Sequence, residues 1–539
     1  MADPKLGEPF GIAQDVLLNI DWKCALKRVI HDIRTDFIYA PHLHFIYDQA
    51  GDEIIAQLNS TLKNGTYYPG VPVTIEVPKS FRVRVTPNIS RLGPNFSRPG
   101  SILLPHDRLL YQALADNVAP IIDSITDHER SFSHKLAPPG TASMFLPTRI
   151  CWNEFQKALE KHSAQSKTKY ILKIDVANFF GSLNQHTLIN ILTDAGLPKA
   201  LSSRIEILLT SYTGERSSRG ILQGMYPSDL FGNFYMMPVD RFLDDLGVPS
   251  ARYVDDTYIF VESADAADRL AHELIPFLRS YDLVLNEAKC VLIPKAALNT
   301  EEPDLQKLFD GAVDEISAQV NAEDFHAEYG FQAEWDDESS ENESEDLTLE
   351  ATKVLFNSVT SYPGNEENIE RFCLPLFAKA NSDYALNHVV AVFKTRPAMA
   401  QVYAFYLSKF LNDVNVKNTL LQLVQDSSLV DWQRMWALGA LLQTEADDDH
   451  PVKIALGLVK DASRHDVLRA VAAIYVGARG DMIRRKSLIT LYPHVSSYVR
   501  AAIFYSARTW PPVERANAKA NWGSHGLLNS LITIAMNKK

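Results

Sequence analysis

Residues 251–261 read Ala-Arg-Tyr-Val-Asp-Asp-Thr-Tyr-Ile-Phe-Val. Two adjacent acids stand inside a run of apolar, aromatic and β-branched residues. Such a run favours extended strand, whereas neighbouring carboxylates resist burial. The chain is therefore expected to turn back at Asp255-Asp256, with a strand on either side. Tyr170-Ile-Leu-Lys-Ile-Asp175 is a second short apolar run ending in an acid, as buried strands often do. Leu283-Val-Leu-Asn286 lies near a further expected strand, Cys290-Val-Leu-Ile293. Helices are expected between these strands, over 185–197 and 264–280.

One strand-end acid plus an adjacent pair in a neighbouring hairpin turn suits a particular chemistry. Joining nucleotides needs two divalent ions. One lowers the pKa of the attacking hydroxyl, and the other stabilises the triphosphate and the departing pyrophosphate. Hard cations such as Mg²⁺ or Mn²⁺ prefer carboxylate oxygens, and Asp175, Asp255 and Asp256 are the expected metal ligands. A lone Asp-Asp pair is common by chance, and the apolar flanks of Tyr253-Val-Asp-Asp256 make this one specific.

Those four residues resemble the central motif of reverse transcriptases. Lys173-Ile-Asp175-Val-Ala-Asn-Phe-Phe180 resembles the preceding metal-binding motif. Gly220-Ile-Leu-Gln223-Gly224 through Asn233 resembles the nucleotide-contacting motif, and Leu285-Asn286-Glu-Ala-Lys289 the lysine motif that follows. Upstream, Arg98 through Arg108 resembles the fingers segment of group II intron and retron enzymes. The motifs occur in family order over residues 79–293. The resemblance implies a role for each residue. Asp175, Asp255 and Asp256 hold metal, and Phe180 is a steric gate that excludes a 2′-hydroxyl, with Phe179 as the alternative packing residue. Gln223 and Gly224 approach the incoming base and sugar. Arg98, assisted by Lys79, neutralises the triphosphate, and Lys289 protonates pyrophosphate as a general acid. Leu222 stands where the family usually has proline, and Ser228-Asp229 where it has Ser-Pro. These departures put ordinary templated copying in doubt.

At 539 residues, two or three domains are expected. Residues 334–350 carry nine acids without Lys or Arg; they account for nine of the thirteen net negative charges and leave −4 elsewhere. This segment is too polar to bury itself and reads as a disordered insert. Residues 79–110 carry six cations against Asp107. Phosphate affinity follows such local placement, so the overall acidity does not exclude a nucleic-acid enzyme.

Past the insert the pattern is helical only. Trp432-Gln-Arg434, Val467-Leu-Arg469 and Tyr498-Val-Arg500 recur at 35 and 31 residues. They imply stacked helix pairs resembling a HEAT-like solenoid, or else an irregular bundle. The three arginines, Arg434, Arg469 and Arg500, either line a concave surface or pair with acids between helices, the second being the expected role. The expected fold class is α+β: reverse-transcriptase fingers and a palm with an antiparallel sheet, followed by an all-α HEAT-like domain. The expected division is 1–78, helical and leading into the fingers; 79–300, fingers and palm; 301–350, linker with the acidic insert; and 351–539, helical repeats. Four scattered cysteines, no 18-residue apolar run and no secretory leader pattern point to a reduced cytoplasmic protein without a membrane partner.

A palm followed by helical repeats resembles the bacterial abortive-infection and defence-associated reverse transcriptases. This implies an antiphage, oligomeric (trimeric or hexameric) polymerase of dNTPs. Some members prime on their own tyrosine, leaving DNA attached to protein, and others copy a noncoding RNA. The sequence does not choose among 21 tyrosines; Tyr39 and Tyr47, ahead of the fingers, are candidates. A palm that only binds nucleic acid or a phage protein is disfavoured by its three intact acids.

Overall fold

The acidic run folds back where expected. In the computed structural model, which describes residues 5–83, 85, 93–214, 218–298, 308–309, 344–361, 365–444 and 449–538, strands β4 (Ser250–Tyr253) and β5 (Asp256–Val261) form a tight hairpin. With β3 (Tyr170–Ile174) and β6 (Val291–Pro294) they make an antiparallel sheet of order β4-β5-β3-β6. The 283–286 stretch adds only an isolated bridge, Leu285 to Val176. Strand alternation splits the side chains of the sheet between two cores. Ile171, Tyr258 and Phe260 face the helix Thr148–Ser163, where Phe155 packs on Tyr253 and Tyr258. Ile174, Ile259 and Val261 face the main core, with Leu270 and Leu274 of the helix Ala264–Ser280. The expected 185–197 helix is Gln185–Asp194.

The fingers are a two-stranded ribbon, β1 (Val73–Arg82) and β2 (Asn95–Ile102), paired Val77 to Arg98 and irregular between Pro78 and Arg82. They begin at Val73 and not at 79, because the apolar alternation of β1 starts there. The residues before them do more than lead in. The helix Pro41–Asn64 packs against Leu527–Ala535 at the far end of the chain, and Trp22–Asp32 packs against Pro105–Ile125. One continuous apolar core therefore runs from the N-terminal helices through the palm into the C-terminal helices.

Residues 334–343 of the acidic segment lie outside the described residues. The helix Ser344–Asn357 starts within its last seven. Thr348, Ala351, Thr352 and Leu355 are buried at helical spacing, so the helical region begins before 351. Beyond it the helices alternate between two rows. Ala400–Ser408, Asp431–Leu441, Asp466–Arg479, Ser497–Ser506 and Leu527–Ala535 pack in succession. Val414–Gln425, Asp449–Lys460 and Met482–Leu491 lie over them. The recurring arginines explain one part of this. Arg434 Nε donates to Val424 O at 2.9 Å, Arg469 Nε to Val459 O at 3.2 Å and Arg500 Nε to Tyr492 O at 3.0 Å. Each satisfies a carbonyl left bare at or just past the end of the preceding helix, in place of the expected pairing with acids between helices; among the described residues Arg434 and Arg469 meet only Asp431 and Asp466, three residues back on their own helices. Arg479-Gly480-Asp481 is a turn between helices, with Asp481 capping the second. All four cysteines are free thiols. Among the described residues no helix is long and apolar enough to cross a membrane.

Residues 36–40 join the parts. Trp432 Nε1 donates to Phe37 O at 2.7 Å, and Gln443 Nε2 to Tyr39 Oη at 3.0 Å. Gly439 admits the Tyr39 ring, since a β-carbon there would lie 2.9 Å from Tyr39 Cδ1. Beneath this segment, buried Arg108 donates to Asp32 at 2.6 Å and Asp36 at 3.1 Å. Two acids share one cation. Burial pushes the Asp36 carboxyl up to about 7, Arg108 opposes it, and Asp32 adds to it. A raised folded-state value favours the protonated form, so the stabilisation is full below the unfolded pKa and lost as pH rises through about 7. The free energy of unfolding is expected to fall between about pH 4 and pH 7, and to fall less steeply in Asp36→Asn. Urea unfolding across that range checks this, and equal slopes would contradict it.

Candidate active site

Tyr253 pairs with Asp256, so Val254 and Asp255 are the two central residues of the hairpin. Val254 has φ of 58°. A positive φ at the first central position gives the turn a twist that matches the strands, and glycine is the usual residue there. A β-branched residue in that conformation costs about 1–3 kcal/mol and persists only where its surroundings hold it. They do so here. Val254 N donates to Ser133 Oγ at 2.9 Å, and Val254 O accepts from Arg252 Nη1 at 2.7 Å. Arg252 is itself buried, donating through Nε to Asp240 at 2.9 Å and through Nη1 to Asn233 at 2.7 Å. The acidic turn is thus tied to both palm helices, Tyr226–Tyr235 and Met237–Asp245.

Strand pairing brings the third acid alongside. Ile174 pairs with Thr257, so the next residues, Asp175 and Asp256, lie side by side at the strand ends. Asp175 is buried and both its oxygens are engaged. Lys289 Nζ donates to Oδ1 at 2.8 Å, and Asn286 Nδ2 to Oδ2 at 2.9 Å. Lys173 stands 4.0 Å from Asp256. Burial, then Asp256 and Asp175, push the Asp255 carboxyl up to about 7.

The fingers supply positive charge opposite these acids. Lys79 lies in the irregular part of β1. Burial, then Arg98 and Lys289, hold its ammonium below the usual range, while Asp175 and Asp255 pull the other way. The aromatic ring of Phe81 lies under Lys289, 5.3 Å from its Nζ. Arg98 lies over the Phe37 ring at 4.9 Å. Gly224 has φ of 84° and touches the same ring, where a β-carbon would come within 2.6 Å of Phe37 Cε2. Phe179 is the buried member of its pair. Phe180 is half-exposed against Gly232, and its carbonyl accepts from Ile221 N beside half-buried Gln223.

Asp175, Asp255, Asp256, Lys289, Lys79 and Arg98 are therefore brought together, with Gly224 joined to Arg98 through Phe37. Lys289 is held by Asp175, a placement that motif spacing does not show. Tyr47 is sealed in the core at 2% exposure, and the Tyr39 hydroxyl is bonded to Gln443. Tyr47 therefore presents no primer hydroxyl. Phe37 was not singled out from the sequence, since its role arises from residues 60 to 400 positions away. Asn286 was quoted in its motif without a role, and its spacing of three from Lys289 was the available signal. Asp229, at the atypical position of its motif, is held well above the usual carboxylate range by burial and then by Asp32.

Among the described residues, no three His, Cys, Asp or Glu stand close enough to hold a metal ion as placed. The donor set nevertheless fits a hard divalent cation: carboxylate oxygens on adjoining strand ends, one of them raised by its neighbours' negative charge. Repulsion between these acids is a cost to the fold that a neutral isostere removes. Asp255→Asn is expected to raise the unfolding free energy at pH 8 without divalent ions by on the order of 1 kcal/mol. Urea titration measures this, and a loss of stability would contradict it.

Residues 94–303 match the family described as reverse transcriptase (RNA-dependent DNA polymerase). The chain thus carries an RNA-directed DNA polymerase domain. No curated protein matches the chain. Among solved structures, it is similar to telomerase from Candida albicans in complex with a fragment of telomeric RNA, at 12% identity and a TM-score of 0.30, over 67% of this chain and 64% of that one. It is also similar to telomerase from Candida tropicalis with the same kind of RNA fragment, at 10% identity and 0.30, over 79% and 68%. The chain spans less than two thirds of the length of the first of these.

Proposed function

We propose that this polymerase domain adds deoxynucleotides in an antiphage defence, primed on protein and working without a conventional template. The observation that carries the polymerase reading is the facing of Asp175, Asp255 and Asp256 by Lys79, Arg98 and Lys289. In this reading the three acids hold Mg²⁺ or Mn²⁺, which when bound activates the attacking hydroxyl and stabilises the pyrophosphate. Arg98 and Lys79 bind the triphosphate, the guanidinium by its forked donors. Phe180 closes the space that a 2′-hydroxyl would need, and Gly224 lets the backbone approach the sugar. Lys289 gives up its bond to Asp175 to protonate the leaving pyrophosphate.

Phe37 supports synthesis without a conventional template. It fills the space beside Gly224, at the motif whose Leu222 and Asp229 depart from the family. The two rows of C-terminal helices, read as HEAT-like, support the likeness to defence enzymes and an assembly of three or six copies. A second reading, copying of a dedicated noncoding RNA, is favoured by Phe81 and Phe96. Both are 53% exposed on the fingers, where bases can stack.

Purified protein with Mg²⁺ and labelled dNTPs, without template or primer, is expected to give label that migrates with the protein and is released by nuclease. Incorporation only after RNA is added would replace this reading with the second. Asp255→Ala with Asp256→Ala is expected to lower incorporation at least roughly thousandfold, since the ions these acids hold contribute several kcal/mol. The same variant is expected to abolish protection against phage; unchanged protection would sink both readings.

A further inference from the structure

The fingers ribbon is clasped by the helical region close to the proposed triphosphate site. Ser80, next to Lys79, donates to the carboxylate of Glu367. Arg82 donates to the carbonyl of Thr395. Strand β1 lies on the short turn Pro397–Met399. That turn holds a further cation: Arg371 Nη2 donates to Ala398 O at 2.9 Å. Arg371 is one helical turn from Glu367, on the helix Glu366–Lys379.

The turn that β1 lies on thus also holds Arg371. Burial, and then the charge of Arg371, hold Arg98 below the usual arginine range. Burial does the same to Arg371, with Glu367, Tyr403 and Glu370 opposing. Arg98 Nε is buried and has no hydrogen-bond partner among the described residues. Its one neighbour of note is the Phe37 ring, which cannot neutralise it. Like charges gathered at reduced exposure are unfavourable unless a polyanion joins them. The acids of the palm lie on the Lys79 side, and the Glu367 carboxylate is bonded to Ser80.

We infer that Arg371, from the helical region, binds the triphosphate of the incoming nucleotide together with Arg98 and Lys79. The helical region then completes the nucleotide site, and the palm and fingers alone do not contain it. The inference rests on the polymerase reading and adds a residue outside the polymerase motifs. A forked guanidinium already fixed at one nitrogen by Ala398 O is pre-oriented, so little freedom is lost when phosphate oxygens arrive.

The test uses the full chain and inorganic tripolyphosphate as the probe, with binding measured by calorimetry, followed by KM and kcat for the incorporated dNTP. Arg371→Gln keeps a donor for Ala398 O and loses the charge, so it separates binding from folding. Arg371→Gln and Arg371→Ala are each expected to weaken tripolyphosphate binding about tenfold and to raise KM similarly. The expected kcat stays within about twofold, and Arg371→Lys recovers part of the binding. Wild-type binding and KM in Arg371→Gln, with both lost in Arg98→Ala, would overturn the inference and leave the polymerase reading standing. A wild-type protein that neither binds tripolyphosphate nor incorporates dNTP would overturn both.

Discussion

Negative charge concentrated at the ends of neighbouring β-strands is the constraint around which the polymerase domain is arranged. Asp175 and Asp256 sit side by side because β3 and β5 pair in that register, and Asp255 occupies the turn between β4 and β5. Nothing in strand packing favours this. Adjacent carboxylates repel, and Val254 takes a conformation that its branched side chain disfavours. Buried supports hold the turn in place: Arg252 on Asp240 and Asn233, and Ser133 on Val254 N. Lys289 and Asn286 hold Asp175 from the other side. The fingers then bring Lys79 and Arg98 to face the acids, so the charges that oppose each other within the palm are balanced by cations from outside it.

A second constraint is that the parts do not stand apart. Phe37 is in contact with Arg98 of the fingers and Gly224 of the palm, and its carbonyl is bonded to Trp432 of the helical region. A change at this residue reaches three regions at once. Arg108 anchors the same segment from below through Asp32 and Asp36, and Tyr226 N donates to Asp32 at 3.0 Å. The helix Tyr226–Tyr235 and the N-terminal segment are thereby pinned to one another.

How much of this was legible from sequence follows from the range of the interactions. The acidic hairpin, the strand ending at Asp175 and the helix over 264–280 were legible, because strand alternation, turn chemistry and helical period are local. The order of motifs also located Lys79, Arg98 and Lys289 near the acids. Register made the outcome specific, and register is not visible in a single strand. The bond from Lys289 to Asp175 needs the 285–289 segment to cross the end of β3, which no local pattern announces. Phe37 and Arg371 left no signal at all. One is an ordinary aromatic in an N-terminal segment, and the other an ordinary cation on an amphipathic helix. The recurring arginines were visible as a repeat, yet only the structure shows that each closes the end of a neighbouring helix. The boundary at 351 misplaced the start of the helical region because acidic composition outweighed the buried spacing of Thr348, Ala351 and Leu355.

The packing of the helix Pro41–Asn64 against Leu527–Ala535 has a consequence for how the chain is made. During synthesis the first of these helices emerges hundreds of residues before its partner. Its apolar face, including Leu43, Ile46 and Ile54, cannot find its native cover until Leu527–Ala535 has been made. The segment that carries Phe37 likewise waits for Trp432, which is made 395 residues after it. Contacts of such sequence separation slow folding. They also mean that a nascent or truncated chain carries its motifs in order while lacking these contacts.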